Sequence, residues 1–502
     1  MEFSDYLHTK IEYYDGIYES MLRKHDFTNI LIRYSEIGTK SRSVQKRMAD
    51  SLIESIKLLL KQDHIKPTRY YQQRGRLIFS FRTDDIELAS FILLQTPGIA
   101  SISPVIKTST RISNIKDRVV EYINSEYEKN MEIGIKVRII NHKVARDYKP
   151  EDIAELCFRE LRKINHQFSR DQQNLGAPDL KINVEIRKNF TYIYSTEISA
   201  LHSGLPVEHQ RASLGLCLNR YHDFDAFAQI FERGQHVIPV LFRTTTNRQY
   251  NSLFFDFLRG SYPADEFYVL IVNLEPILSI IKEKTSIEGF KRQDLPSICV
   301  FCRYIRYQIL ENIIHNQIQI IRATLKRDNL KIKSVSNILY DIPNYEGKPA
   351  RSIKNSRIKT RYIRGIIDSE QDSIYCPYNE DSWKLSAQYG TPIFYPLLSR
   401  RTSKIKEHLF SFLAGRYYHN ILQLAHHRLQ KNPTVQRQLQ DQNQRLKLVG
   451  KSIATEIGNK ICDYREPISQ NTKKDLFKTM ETLNIDSIVK RALKGIQLQK
   501  VF

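Results

Sequence analysis

Long apolar runs are missing from this sequence. No stretch of its 502 residues approaches a membrane-spanning helix in length, and the opening MEFSDYLHTK does not read as a secretory signal. The expectation is therefore a cytoplasmic protein with no membrane partner. Cysteine is scarce: six residues, too few for a disulfide framework. Acidic residues are in deficit, 55 Asp and Glu against 77 Lys and Arg, which leaves a net charge of +22. Such an excess favours a polyanionic partner, nucleic acid before anionic membrane, over charge kept for solubility alone. No H-x-x-x-H motif or carboxylate pair with catalytic spacing stands out. What remains, 41% hydrophobic and 26% charged residues, is ordinary for a globular protein, and the length predicts two to four domains.

The first 27 residues read as a polar, tyrosine-rich leader, one helix at most. Residues 28–34 read as a strand. An amphipathic helix follows over 44–60, with Met48, Leu52, Ile56 and Leu59 on one face. A strand pair turns at Gly75, a helix covers 86–94 and a strand 99–105. This order predicts a small ferredoxin-like domain over 28–108. Its cations Arg33, Lys40, Arg42, Lys46 and Arg47, with Arg74 and Arg76 beside the turn, read as phosphate contacts; the bland alternative is a solvated face.

A second unit covers 109–200. Helices are expected over 115–127 and 148–164, the latter opened by Pro150 and two acids. Strands are expected over 133–140, 181–187 and 190–195, with Ile182, Val184 and Ile186 alternating with polar residues. Arg138, Lys143 and Arg146 cluster after the first strand as further RNA-contact candidates.

A strand-loop-helix-strand pattern over 211–242 then predicts the opening of a parallel, Rossmann-like sheet. Leu214, Leu216 and Leu218 alternate, a helical pattern starts at Phe224, and an apolar run ends at Phe242. Phosphate would sit in the loop that leads into the helix N-terminus. That loop is Leu218, Asn219, Arg220, Tyr221, His222 and Asp223, with neither glycine nor a hydroxyl side chain of Ser or Thr.

Five segments, met in order, resemble one family. NILIRYSEIGTKSRSVQKRM, RGRLIFSF with TPGIASISPV and DLKINVEIRKNFTYIY, HSGLPVEHQ, SICVFCRYIRYQILENI and GTPIFYPLLSRRTSKIKEHL are similar to segments of the tRNA 4-thiouridine synthetases, the sulfurtransferases also named for thiamine biosynthesis. The resemblance implies an α/β chain with a ferredoxin-like domain, a THUMP domain and a Rossmann-like PP-loop-type domain over 201–403. A helical C-terminal extension is expected over 404–502. It also implies tRNA as partner and ATP with magnesium as the means of adenylating a uridine before sulfur insertion. The chain departs from the family at the PP-loop, S-G-G-x-D-S, whose place is held by residues 218–223. Side chains there obstruct the close backbone approach that pyrophosphate requires.

Cys299 and Cys302 form a CxxC ahead of a helical pattern. With Cys376 or Cys462 they are candidate ligands of an iron–sulfur cluster or zinc; alone they are a redox pair or two idle thiols. The segment 322–364 holds twelve Lys or Arg against Asp328, Asp341 and Glu346, with tyrosines between them, as a surface for RNA backbone and unstacked bases would. It opens a basic insertion, 322–390. The function expected is tRNA binding by a pseudoenzyme or accessory subunit, beside an active paralogue or another modification enzyme. Two alternatives stand: an active sulfurtransferase with a rebuilt site, and a structural subunit on another RNA.

Overall fold

Two sheets carry the chain. A computed structural model describes residues 2–21, 26–34, 37, 41–73, 75–140, 148–165, 168–174, 176–201, 204–217, 221–243, 268–273, 362–367, 393–394, 402–429, 433–456 and 497–500. After helix α1 (Phe3–Met21), the elements β1 (Asn29–Arg33), α2 (Arg42–Gln62), β2 (Arg69–Gln73), β3 (Arg76–Ser80), α3 (Ile86–Gln95) and β4 (Ser101–Thr108) form a β-α-β-β-α-β unit. Then come α4 (Ile112–Glu126), β5 (Ile133–Ile139), α5 (Pro150–Ile164), β6 (Leu180–Ile186), β7 (Thr191–Tyr194) and β8 (Ile198–Ser199). All eight strands share one sheet, in the order β2-β3-β1-β4-β7-β6-β5, with β8 also on β4. Strand β4 joins the two units. Its residues 101–105 pair with β1, and its residues 106–108 pair with β7.

Local sequence explains the helices on one face of this sheet. In α2, Met48, Leu52, Ile56 and Leu59 recur at helical spacing and are buried. In α5, Pro150 stands at the first turn and Asp152 Oδ2 accepts the Lys149 backbone N–H at 2.9 Å, which satisfies one orphan donor. Helix α3, IELASFILLQ, is apolar almost all round, and nine of its ten residues are buried. A helix of that kind needs cover on its outer side as well as on the sheet side. The cover comes from the far end of the chain, described below.

The helix-free face holds a second, smaller core of Leu31, Ile78, Val105, Tyr192 and Tyr194. The two halves of the sheet curve toward each other over it, so that β3 meets β6 across the concavity. Arg76 Nη2 lies 3.5 Å from Glu185 Oε1, although the two are 109 residues apart. Arg187 donates to Glu185 Oε2 at 2.8 Å from Nη2 and 3.2 Å from Nε, and the Tyr194 hydroxyl donates to Oε1 at 3.0 Å. Arg33 Nη1 donates to Ser103 Oγ at 3.0 Å, Nε pairs with Glu197 at 3.5 Å, and the guanidinium lies 4.9 Å from the Tyr194 ring centroid. Burial pushes the Glu185 carboxyl up, but the Arg187 hydrogen bond and the Arg76 and Arg187 charges outweigh it and hold it below the ordinary range.

The second sheet is built from β9 (Leu205–Cys217), β10 (Arg233–Arg243), β11 (Tyr268–Asn273), β12 (Tyr362–Ile367), β13 (Ile393–Phe394) and β14 (Gln497–Lys500). Its order is β13-β12-β9-β10-β11-β14; the first five strands run parallel, and β14 is antiparallel to β11. Helix α6 (Tyr221–Glu232) crosses from β9 to β10. It lies close on β9 because residue 215 is glycine: a Cβ there would fall 2.5 Å from the Phe227 ring. Three expectations change here. Strand β9 begins at Leu205, six residues before the strand pattern expected from 211. Helix α6 begins at Tyr221, three residues before the expected Phe224. The last residues of the basic segment, Tyr362–Ile367, are the strand β12 inside the sheet.

Helices α7 (Thr402–Leu429) and α8 (Pro433–Glu456) follow, with Pro433 at the first position of the second. The C-terminal region is not purely helical, since β14 returns to the sheet edge. Helix α7 supplies the cover for α3: Phe91 meets the Tyr418 ring at 5.2 Å and the His419 ring edge-on at 6.1 Å. The polar leader is a strut between the two cores. Phe3 of α1 packs on Phe410 at 5.1 Å in the parallel-sheet core, while Tyr14 packs on Phe91 and Tyr418 at 5.3 and 5.0 Å in the other.

Three histidines along α7 meet acids from three other helices. His408 contacts Asp225 of α6, His419 Nε2 lies 3.0 Å from Asp63 after α2, and His426 Nε2 lies 3.9 Å from Asp85 before α3. Burial raises the Asp63 carboxyl, but the charge and hydrogen bond of His419, with Arg416 and Gln423, win and hold it below its ordinary 3.8. A depressed carboxyl contributes stability above its unfolded value and loses it as pH falls through the folded one. The stability difference between wild type and Asp63→Asn should therefore shrink as pH is lowered below about 3.8. Denaturation midpoints at pH 7 and pH 3 test this. Equal differences at both would show that the ionised carboxylate contributes nothing.

Candidate nucleic-acid interface

The candidate cations divide into three groups. Arg33 and Arg76 are built into the fold: Arg33 is 7% exposed, and both are held by the carboxylates and hydroxyl described above. Arg33 is buried, and Arg76 is partly buried beside Glu185. Arg42, Lys46 and Arg47 lie in the first turns of α2 and are exposed. Arg42 and Lys46 are four apart, so they share a face of the helix. Arg138 is exposed on β5, at the edge of the sheet, and Lys136 two residues before it points the same way. Lys40, Arg74, Lys143 and Arg146 lie outside the described residues.

In a parallel sheet of this order, ligands bind beyond the carboxyl ends of the strands, where the chain's direction of winding reverses. That point lies between β9 and β12, which are neighbours although residues 218–361 separate them. Strand β9 ends at Cys217 and α6 starts at Tyr221; Leu218, Asn219 and Arg220, between them in sequence, lie outside the described residues. Tyr221, His222 and Asp223 form the first turn of α6, not loop. Sequence reasoning missed Asp225. It lies fully buried in the next turn, in contact with His408 Nδ1 and with Gln229 Nε2 at 3.2 Å. The alternation of apolar and polar residues in α6 gives no sign of it, because its partner is 183 residues away.

Cys299, Cys302, Cys376 and Cys462 lie outside the described residues. Among the described residues there is no group of three or more His, Cys, Asp or Glu placed to hold a metal. Cys157 of α5 is buried, and burial pushes its thiol up to about 12, far from a reactive thiolate. No described helix is long and apolar enough to cross a membrane.

The two halves of the first sheet each match a known domain. The family model for the ThiI ferredoxin-like domain covers residues 29–103, and that for the THUMP domain covers residues 109–196. Residues 29–196 are a ThiI ferredoxin-like domain joined to a THUMP domain. A probable tRNA sulfurtransferase of Methanocaldococcus jannaschii is 24% identical over 364 residues, 70% of this chain and 91% of that protein. Probable tRNA sulfurtransferases of Thermococcus kodakarensis and Bacillus pumilus are each 26% identical, over 218 and 221 residues, 43% of this chain in both cases. The chain spans about half the length of those two relatives, 55% and 52%. A solved structure described as a 4-thiouridine synthetase–RNA complex with bound ATP superposes with a TM-score of 0.59 at 14% identity, over 95% of this chain and all of that one. That likeness is one of fold, and it extends past THUMP into the parallel-sheet domain. The ferredoxin-like and THUMP domains meet along β4 and across the Arg76–Glu185–Arg187 cluster, which leaves their relative angle little freedom.

Proposed function

We propose that this protein binds tRNA through its ferredoxin-like and THUMP domains, and that its parallel-sheet domain serves as a scaffold without adenylation activity. The observation that carries the RNA reading is the pairing of a THUMP domain with a net charge of +22, with exposed cations left on α2 and β5 after Arg33 and Arg76 are taken up inside. The relatives are tRNA sulfurtransferases, which supports tRNA over other RNA. Recognition by such a surface follows shape and phosphate more than sequence.

The absence of adenylation rests on residues 218–223. A nucleotide pyrophosphate held at a helix N-terminus needs backbone N–H groups it can approach closely. A connection of Leu, Asn and Arg between β9 and α6 does not fit that requirement. In this reading the protein works in the cytoplasm beside an active paralogue or another modification enzyme. The CxxC of Cys299 and Cys302, with Arg220 and His222 near the phosphate position, favours a second reading, an active sulfurtransferase.

Calorimetry with ATP and magnesium, with and without tRNA, separates the two. No heat from ATP, together with a salt-sensitive shift of folded tRNA, is the expected result. ATP binding in the micromolar range that disappears in Arg220→Ala would overturn the scaffold reading. Equal affinity for unrelated RNA would replace tRNA by a structural role on another RNA.

A further inference from the structure

On the helix-free face, at the seam between the two N-terminal domains, side chains from three strand regions meet. Tyr71 comes from β2 at the outer edge of the ferredoxin-like half. Lys107 comes from the last residues of β4, the strand both halves share. Phe190 stands at the head of β7 in the THUMP half. The Tyr71 and Phe190 rings lie 6.0 Å apart, tilted by 55°. The Lys107 ammonium lies 3.8 Å from the Phe190 centroid and 4.5 Å from the Tyr71 centroid, and it donates to the Tyr71 hydroxyl at 3.3 Å. Arg69, two residues before Tyr71 on the same side of β2, is exposed. Lys188 is exposed in the turn just before Phe190.

Two cations thus stand beside one phenolic hydroxyl at an open rim, one of them bonded to it. Elsewhere on this face the cations have carboxylate partners: Arg33 has Glu197, and Arg76 and Arg187 share Glu185. Among the described residues no carboxylate forms an ion pair with Arg69 or Lys107. The hydrogen bonds from Arg69 and then Lys107 hold the Tyr71 phenol below its ordinary 10, as expected of an oxygen placed in a positive field. Two unneutralised cations aimed at one point, with a hydroxyl between them and an apolar ring beneath, suit an oxyanion bearing several acceptors.

We propose that Arg69, Lys107 and the Tyr71 hydroxyl form a seat for a backbone phosphate of bound RNA, with Phe190 as its apolar floor. The assignment rests on the RNA-binding reading above and goes beyond it: β2 and β4 supply the polar groups, and the THUMP half supplies the floor. The RNA path then crosses the seam, and the angle locked by Glu185 sets the spacing between this phosphate and the cations of α2 and β5.

The test is binding of folded tRNA across a salt series by wild type, Arg69→Gln, Lys107→Gln, the double variant and Lys107→Arg. Lys404→Gln, an exposed lysine of α7, controls for removal of charge as such. Removing one phosphate-binding cation lowers the slope of log K against log salt by roughly 0.7–0.9. The double variant should therefore show a slope smaller by about 1.5 and bind roughly tenfold or more weakly at low salt, with Lys107→Arg and Lys404→Gln close to wild type. Arg69 is exposed on the edge strand, so Arg69→Gln alone should lower the slope by about 0.8 even if Lys107→Gln folds poorly. An unchanged slope in Arg69→Gln and the double variant, with tRNA binding intact, would overturn the seat alone. No tRNA binding by wild type would overturn the function on which it rests. A calorimetric signal from inorganic phosphate that is absent in the double variant, with no change in the RNA slope, would mark a free-anion site and overturn the RNA assignment.

Discussion

Glu185→Ala is expected to cost about 3–5 kcal/mol, the range for breaking a buried charge network by removing one partner. Glu185 pairs with both Arg76 and Arg187, and its side chain and that of Arg187 are 2% and 5% exposed. Without it two guanidinium groups lose their shared carboxylate and the Tyr194 hydroxyl loses its acceptor, where water has little access. The cost is therefore that of stranded cations as well as that of missing hydrogen bonds. Urea denaturation read by circular dichroism measures it. A change under about 1 kcal/mol, the scale of a surface ion pair, would mean the seam tolerates unpaired arginines and does not lock the two domains.

The same carboxyl makes a second, pH-dependent contribution. Its folded-state pKa lies below the ordinary 4.5, so its contribution is complete above that value and disappears as pH falls through the folded one. The gap between wild type and Glu185→Ala should narrow below about pH 4.5 and stay constant from there to neutral pH. A gap that widens in acid would contradict the assignment of the charge.

Gly204→Ala is expected to destabilise by more than about 4 kcal/mol, in the exceptional range tied to a specific mechanism. Gly204 has φ +107°, a region that residues with a Cβ rarely adopt, and a Cβ there would fall 1.9 Å from the Glu232 carbonyl oxygen at the end of α6. Neither group can rotate away, since one is backbone and the other would be Cβ itself. The joint is crowded from two further sides: a Cβ on Gly98 would meet Pro206 backbone at 2.6 Å, and one on Gly234 would meet the Pro206 carbonyl oxygen at 2.7 Å. These three glycines let the end of α3, the start of β9 and the end of α6 converge on Pro206. The control is Gly75→Ala. It also has positive φ, +75°, but nothing lies within 4 Å of its Cβ, so its cost should stay near about 1 kcal/mol. Similar midpoints for the two variants would show that α6 moves freely and that the joint is not rigid.

Much of the fold is legible in the sequence because it is written in local periods. Leu52, Ile56 and Leu59 repeat every three or four residues and make α2; Ile182, Val184 and Ile186 repeat every two and make β6; Pro150 and Pro433 mark helix boundaries. The cation excess and the order of five family-like segments also come from residues alone, and they point to the ferredoxin-like and THUMP domains. The exceptions are long-range. The leader reads as polar because only one face of α1 is apolar, and its partners Phe410 and Tyr418 come from α7, near the other end of the chain. The start of α6 falls earlier than its apolar pattern suggests, because Tyr221, His222 and Asp223 carry no apolar signal of helix.

Among the cations, sequence says that arginine and lysine are plentiful but not which ones remain available. Arg33 and Arg42 are alike as basic residues, yet one lies under a folded sheet beside Glu197 and the other lies on an exposed helix turn. That choice belongs to the curvature of the sheet, which brings β3 to β6 and Tyr71 to Phe190. Periodicity reports only which side of a strand a residue takes; the charge that neutralises it, or leaves it free for a phosphate, comes from strands brought together only when the chain folds.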